Sequence, residues 1–491
     1  MVQFLKRADA FLENMLGEGT QAVLLLALGL AVVLSLVYHW LSVAHPYSLD
    51  YGEAPLIDQA MRLGKGENIY RTDLSEPPFT ISNYPPIYVV VLAPFVKIFG
   101  PNYWAGRMIS WIASIGSAIF VAMIIFTITR DRFAALISWL LFTAFPYVIA
   151  WSSYGRVDSL ALMFSLAGLF VLVRWPASWW GLIGGGSLLV AAIFTRQSFA
   201  LAAPLAAFIW MCTNNWRRAF LLAALIGGLS IVIFTLITAA TGGGFYFNII
   251  TANVNEFGME RLEWNLRNLR DATLVLLIIA AGSLLLAFLK IPGWALIVPY
   301  LIGASLSTLT VGKIGSSYNY FLELCAALSL AAGVVVAWAR KISFGRTIYI
   351  ILLILLVYQS AKLIQVTLVD HVEVLKERRG FVHELRQLEN IVSRSDGNIL
   401  ADEYMGMATQ QAWLLQLQPF EMTQIANAGV WDQQPLIDRI VNKEYSLILI
   451  TYFPEYPVYT ERWTPTMLSA ISRVYEGHEF LAETRVYRPI D

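Results

Sequence analysis

The sequence predicts an α-helical polytopic membrane protein of about eleven spans, followed by a small C-terminal α/β domain. Three observations lead there. Of the 491 residues, 57% are hydrophobic and only 14% charged, with a mean hydropathy of +0.61, which exceeds what a soluble core requires. Apolar runs of about 20 residues recur from residue 21 to residue 368. Beyond 368 the composition turns polar, and strand-like and helix-like segments alternate.

The runs lie near 21–43, 104–129, 133–151, 159–174, 179–195, 198–213, 219–241, 272–289, 293–311, 318–339 and 346–368. The first is longer than a signal-peptide core and follows Glu13 and Glu18, so it reads as an uncleaved anchor. Lys6/Arg7, Arg130/Arg132, Arg174, Arg217/Arg218, Lys290 and Arg340/Lys341/Arg346 fall in alternate short loops, which places those loops in the cytoplasm. The opposite face then holds 44–103, 152–158, 242–271, 312–317 and everything after 368. Within 44–103 an irregular stretch ends at Asn83-Tyr84-Pro85-Pro86, and Ile87 to Gly100 is too short to span and reads as an interfacial helix. In the tail, His371–Leu388, Gln434–Val441 and Pro465–Val474 read as helices; Asn398–Ala401, Ser446–Ile450 and Phe480–Tyr487 read as strands. The expected division is a transmembrane domain over 1–368 and an extracytoplasmic α/β domain over 369–491.

Zero net charge gives no footprint for nucleic acid, and Cys212 and Cys325 lie in apolar runs where a disulfide framework is not expected. There is no phosphate-cradling Gly-rich loop with Lys-Ser/Thr, no HExxH, no Gly-x-Ser-x-Gly and no Asp-x-Asp. A soluble nucleotide-activated donor is therefore disfavoured, and a substrate already in the membrane fits better.

Chemistry concentrates in four stretches. Asp50 and Glu53 sit where the chain leaves the first span, where an acid can stay ionised beside a lipid headgroup. Arg156 and Asp158 occupy the very short loop Tyr154-Gly155-Arg156-Val157-Asp158; such charges need a partner or a ligand, either as a phosphate clamp and sugar-orienting acid or as a local capping pair. Arg196, in Thr195-Arg196-Gln197-Ser198, lies between apolar runs and can hold phosphate bidentately or snorkel to the surface. Lys313 sits at an outer mouth, and Asn319 and Glu323, four apart, share one helix face.

These motifs together resemble the GT-C superfamily of integral-membrane glycosyltransferases, in the bacterial branch similar to protein O-mannosyltransferases and lipid A aminoarabinose transferases. The likeness is carried by Leu49-Asp50-Tyr51-Gly52-Glu53, Asn83-Tyr84-Pro85-Pro86, Ala105-Gly106-Arg107, Gly155-Arg156-Val157-Asp158, Thr195-Arg196-Gln197, and Tyr318-Asn319-Tyr320 with Glu323. It implies an inverting enzyme of the inner (plasma) membrane, working on the outer face. The implied donor is a polyprenyl-phosphate-linked sugar, and the acceptor a hydroxyl on a lipid, glycan or protein. Asp50 occupies the position of the general base. Many relatives carry adjacent acids there, whereas Asp50 and Glu53 are two residues apart, which leaves open which of them acts. Many relatives also have Lys where this chain has Arg196, and the charge is retained. Asp158 joins the two acids as a catalytic candidate. Arg156, Arg196, Gln197 and Lys313 would hold the donor phosphate, and Tyr84, Tyr318, Asn319 and Glu323 the rest of the substrate. A divalent cation, magnesium or manganese, would fit if the three carboxylates converge, although no spacing requires it. The competing class is a transporter or flippase for a lipid-linked sugar, against which the sequence offers no paired halves and no matched broken helices.

Overall fold

The computed structural model describes residues 2–342, 345–453 and 458–491, with side chains from residue 16 onward apart from Gly345. Every apolar run is helical. The helices are α1 (Val2–Val43), α2 (Glu53–Gly64), α3 (Ile87–Phe99), α4 (Tyr103–Thr129), α5 (Arg132–Ala144), α6 (Pro146–Trp151), α7 (Val157–Arg174), α8 (Trp179–Thr195) and α9 (Ala202–Ala240). After the single turn α10 (Gly244–Tyr246) come α11 (Met259–Ala287), α12 (Trp294–Thr308), α13 (Leu322–Ala339) and α14 (Gly345–Val366). Asn102, Asp131 and Ser178 accept from the free N–H groups at the starts of α4, α5 and α8. Helix α13 is buried along almost its whole length and forms the axis of the bundle.

Among the described residues, eight helices are long and apolar enough to cross a membrane. The run 133–151 is broken at Phe145-Pro146 into α5 and α6, because proline removes a helical donor and opens a new first turn. The runs 198–213 and 219–241 are joined in α9 across a kink at Asn215, whose Oδ1 accepts from the N–H groups of Arg217 and Arg218 and so caps the second half. The run 272–289 is only the later part of α11, which starts at Met259 and breaks at Thr273. There Gln359 of α14 donates to the Ala272 carbonyl at 2.7 Å and accepts from Val275 N–H at 3.1 Å, supplying the interrupted helical bonds.

The tail comprises α15 (Glu373–Gly380), α16 (Val382–Ser393), β1 (Ile399–Ala401), α17 (Gly406–Gln410), α18 (Pro419–Asn427), α19 (Gln434–Val441), β2 (Leu447–Thr451), α20 (Tyr459–Arg462), α21 (Pro465–Val474), β3 (Tyr475–Leu481) and β4 (Thr484–Pro489). The sheet order is β1-β2-β4-β3, with β1 parallel to β2 and the other pairs antiparallel. The expected single strand 480–487 is a hairpin. Its two turn residues, Ala482 and Glu483, both have positive φ, a conformation usually signalled by Asn-Gly or Asp-Gly, so neither residue marks the turn.

The long loop 44–103 is more ordered than its composition suggests. It holds α2 and supplies side chains to the tail's core: Leu74, Phe79 and Ile81 pack with Leu417, Met422 and Trp431. Phe79 exchanges backbone hydrogen bonds with Gln416 and Gln418 at 2.8 and 2.9 Å. Asp58 accepts from Arg62 at 2.7 Å and from Leu415 N–H at 2.9 Å. Asn248 ties the loop 242–271 to the loop 44–103, accepting from Ser82 N–H and donating to the Arg71 carbonyl, both at 2.8 Å. The tail and the long loops therefore form one layer over one end of the bundle.

Candidate active site

The stretch after α1 is held by a buried ion pair. Arg107, on the first turns of α4, is 0% exposed and uses all five of its N–H donors. Nε and Nη2 each reach a different Glu53 oxygen at 2.8 Å. Nη1 donates to the carbonyls of Ser42 and His45 at 2.8 and 2.6 Å, and Nη2 donates to that of Tyr47 at 2.6 Å. Glu53 also accepts from Gly155 N–H at 2.8 Å and Leu49 N–H at 2.9 Å. Burial alone would raise the Glu53 pKa, but Arg107 and these donors outweigh it and hold the carboxyl below its ordinary range. The backbones of Gly106 and Gly155 touch here: a Cβ on Gly106 would lie 3.1 Å from the Gly155 Cα.

Asp50 is placed differently. Its side chain is 22% exposed, and Oδ1 lies 3.0 Å from Arg156 Nη1 and 3.0 Å from Gly52 N–H. Burial raises its pKa and Arg156 restrains the rise. Glycine at residue 52 leaves room for this placement of Arg156, since a Cβ there would sit 1.0 Å from Nη1 and push the guanidinium aside. Arg156 Nη2 donates to the Tyr84 hydroxyl at 3.0 Å, and its guanidinium faces the Tyr84 and Trp151 rings.

Asp50 and Arg156 open into a cavity of about 420 Å³ between the helix ends and the tail. Of the sequence-predicted site residues, Asp50, Tyr84, Arg156, Gln197, Lys313 and Asn319 line it. Glu53 does not, since its oxygens are taken up by Arg107 and backbone donors. Asp158 and Arg196 form a layer behind the wall. Asp158 is fully buried, paired with Arg196, bonded to Asn319 Nδ2 at 3.1 Å and to Trp151 Nε1 at 2.7 Å. Arg196 stacks on the Tyr320 ring with its guanidinium carbon 4.4 Å from the centroid. Tyr318 points away into a second cavity, and Glu323 is buried in α13 with Oε1 lacking a hydrogen-bond partner among the described residues.

The three carboxylates expected to converge each face a separate arginine instead: Asp50–Arg156, Glu53–Arg107 and Asp158–Arg196. Among the described residues no group of three or more His, Cys, Asp or Glu is placed to hold a metal ion, so the expected convergence of three carboxylates on one cation is not formed.

Several lining residues lie outside the four stretches where the sequence concentrates chemistry. Glu421 and Phe420 on α18 and Arg462 on α20 enter from the tail, and Asn253 and Asn255 from the loop 242–271. The Tyr51 hydroxyl accepts from Phe420 N–H at 2.8 Å and donates to Glu421 at 3.3 Å, while Arg462 lies over the Tyr51 ring. Burial pushes the Glu421 carboxyl up to about 7. Behind it, Glu403 bridges Arg378 at 2.9 Å and Arg462 at 2.8 Å. Burial opposes ionisation of Glu403, but the two arginines prevail and hold it at about 2. Arg462 is 7% exposed, and its Nη1 has no hydrogen-bond partner among the described residues. Pro419 signals a helix start, yet no local pattern tells that α18 covers a cavity.

This fold, a bundle of apolar helices whose loop cavity is roofed by a small α/β segment, is shared with solved structures. Among solved structures the chain is similar to ArnT from Cupriavidus metallidurans. For ArnT bound to undecaprenyl phosphate the identity is 12% and the TM-score 0.63, covering 95% of this chain and 98% of that one. For ArnT in the apo state the values are 14% and 0.64, covering 94% and 97%. The Archaeoglobus fulgidus oligosaccharyltransferase tethered with an acceptor peptide gives 12% and 0.53, covering 96% of this chain and 74% of that one. The likeness is one of fold. No protein-family model and no curated protein matches the chain in sequence.

Removing Arg107 leaves an uncompensated carboxylate in a dry site. Arg107→Leu should lower stability by about 3–5 kcal/mol, read as a fall in apparent Tm of the purified protein, and adding Glu53→Leu should recover part of the loss. An unchanged Tm for the single variant would show that the pair does not hold the loop.

Proposed function

We propose that the protein is an inverting glycosyltransferase that moves a sugar from a polyprenyl-phosphate donor to an acceptor hydroxyl on a lipid, glycan or protein. The observation that carries this reading is the partly exposed Asp50 carboxylate, set beside Arg156 in a cavity that also holds Lys313 and Arg462. The fold shared with an ArnT structure bound to undecaprenyl phosphate supports it. In this reading the cavity and the tail, 369–491, face the outside of the inner (plasma) membrane, and 1–368 forms the membrane part. The charge pattern of the short loops supports that orientation.

The reaction then runs as follows. Asp50 takes the proton of the acceptor hydroxyl. The acceptor oxygen bonds to C1 of the sugar as the C1–O bond to phosphate breaks, and the phosphate leaves with the electron pair. An acid whose pKa is raised by burial is the stronger base, which suits Asp50 to the task. Arg156 and Lys313 offset the charge on the leaving phosphate. Glu53 positions the loop without touching substrate, and Arg196 and Asp158 brace the wall that carries Asn319.

Asp50→Asn keeps the size and removes the base. Turnover with a polyprenyl-phosphate sugar should fall by roughly 100-fold or more while donor binding survives, since base catalysis contributes about 10²–10⁴. Wild-type turnover in Asp50→Asn would sink the assignment. A second test uses pH. Glu421 is neutral below about 7 and ionised above it, so raising the pH places a new negative charge in the cavity that receives the phosphate. The donor KM should rise through that range, and Glu421→Gln should flatten the rise. A KM rise that persists in Glu421→Gln would assign it to another group.

A further inference from the structure

A second cavity, of about 450 Å³, lies across the Tyr318–Phe321 turn from the first. Its walls are the outer parts of α11 and α14, together with the π-helical turn Thr367–Val372. Both walls are irregular at this point, with α11 broken at Thr273 and α14 running into the wide turn. The proposed transferase reaction uses none of its side chains.

The chemistry of the lining is mixed in a specific way. Asp271, Asp370 and Lys362 line it, with Asp271 Oδ1 paired to Arg270 at 2.7 Å and its Oδ2 left over, Lys362 donating to Gln365 at 3.2 Å, and Trp264 adding an indole. His371 is 7% exposed and lines the cavity, and its Nε2 has no hydrogen-bond partner among the described residues. A buried ring nitrogen left unsatisfied costs free energy unless a ligand meets it. On the membrane side of the cavity, α11 exposes Leu274 and Ile278, and α14 exposes Leu355 and Tyr358. A ligand here therefore has a charged end that meets this set and an apolar part that can lie along the helices.

The geometry points to a binding site for a membrane phospholipid with a zwitterionic, primary-amine headgroup. Lys362 meets the phosphate diester, while Asp271, Asp370 and His371 Nε2 accept from the ammonium. A primary ammonium brings three N–H donors to three acceptors, whereas a quaternary ammonium brings none. An anionic headgroup without an amine would bring no N–H donor to Asp370 and His371 Nε2, which disfavours it. The turn between the cavities links the two sites. Tyr318 lines this one, Asn319 and Tyr320 line the other, and Asn319 also bonds Asp158.

The test is lipid retention by the full-length protein, which does not depend on the transferase reading. Protein purified in detergent is offered equal amounts of phosphatidylethanolamine, phosphatidylcholine and phosphatidylglycerol, and retained lipid is read by native mass spectrometry. The wild type should keep phosphatidylethanolamine over the other two by about tenfold. The double variant Asp271→Asn/Asp370→Asn, at two exposed positions, should bring that preference close to parity at unchanged Tm. Lys362→Met should weaken retention of all three lipids. Equal retention of the three by wild type, or an undiminished preference in the folded double variant, would overturn the proposal.

Discussion

The buried Arg107–Glu53 pair is the constraint on which the site depends. Two ions cannot sit in a dry interior unless each is paired and its remaining hydrogen-bonding capacity is met. Here the five donors of Arg107 are spent on one carboxylate and three carbonyls, and Glu53 collects further donors from Gly155 and Leu49. Those bonds join three pieces distant in sequence: the exit of α1, the start of α4, and the loop before α7. Once they are joined, Asp50 has one place to go, beside Arg156 and facing the cavity. The first acid of the pair is left available because the second is consumed in structure.

The same division repeats around the cavity. Asp158 and Arg196 satisfy each other behind the wall, and Glu403 gathers Arg378 and Arg462 beneath the tail. Each pair fixes a backbone segment whose neighbours then present side chains to the open volume. The glycines complete this logic at two points. Gly52 leaves room for the Arg156 guanidinium, and Gly106 and Gly155 let two backbones meet. The tail belongs to this arrangement as well: its core includes Leu74, Phe79 and Ile81 from the loop 44–103, and it contributes Glu421 and Arg462 to the cavity.

Much of the fold could be read from the chain because hydropathy is averaged over many residues. Each of the apolar runs proved helical even where Pro146 or Asn215 altered its boundaries. The hairpin at Ala482-Glu483 could not be read, since neither residue carries the usual turn signal. At the site, the motifs located Asp50, Arg156, Gln197 and Lys313 on one cavity, but they could not tell a lining residue from one that supports it. Glu53, Asp158 and Arg196 look like cavity charges by position, and only the pairing of each with a partner more than 35 residues away shows that they lie behind it. Glu421 and Arg462 were invisible for the opposite reason. Their role depends on how the tail docks, and docking leaves no local pattern.

The account's central claim is that Asp50, beside Arg156, is the acid presented to the cavity, while Arg107 and Arg196 hold Glu53 and Asp158 behind its wall. A structure of the protein with polyprenyl monophosphate bound tests it most directly. The phosphate oxygens should lie about 3 Å from side-chain nitrogens of Arg156 or Lys313, with Asp50 facing the space where C1 would sit and the Arg107–Glu53 pair intact. A phosphate bound away from both cations, or Glu53 released from Arg107 to meet the ligand in place of Asp50, would contradict it.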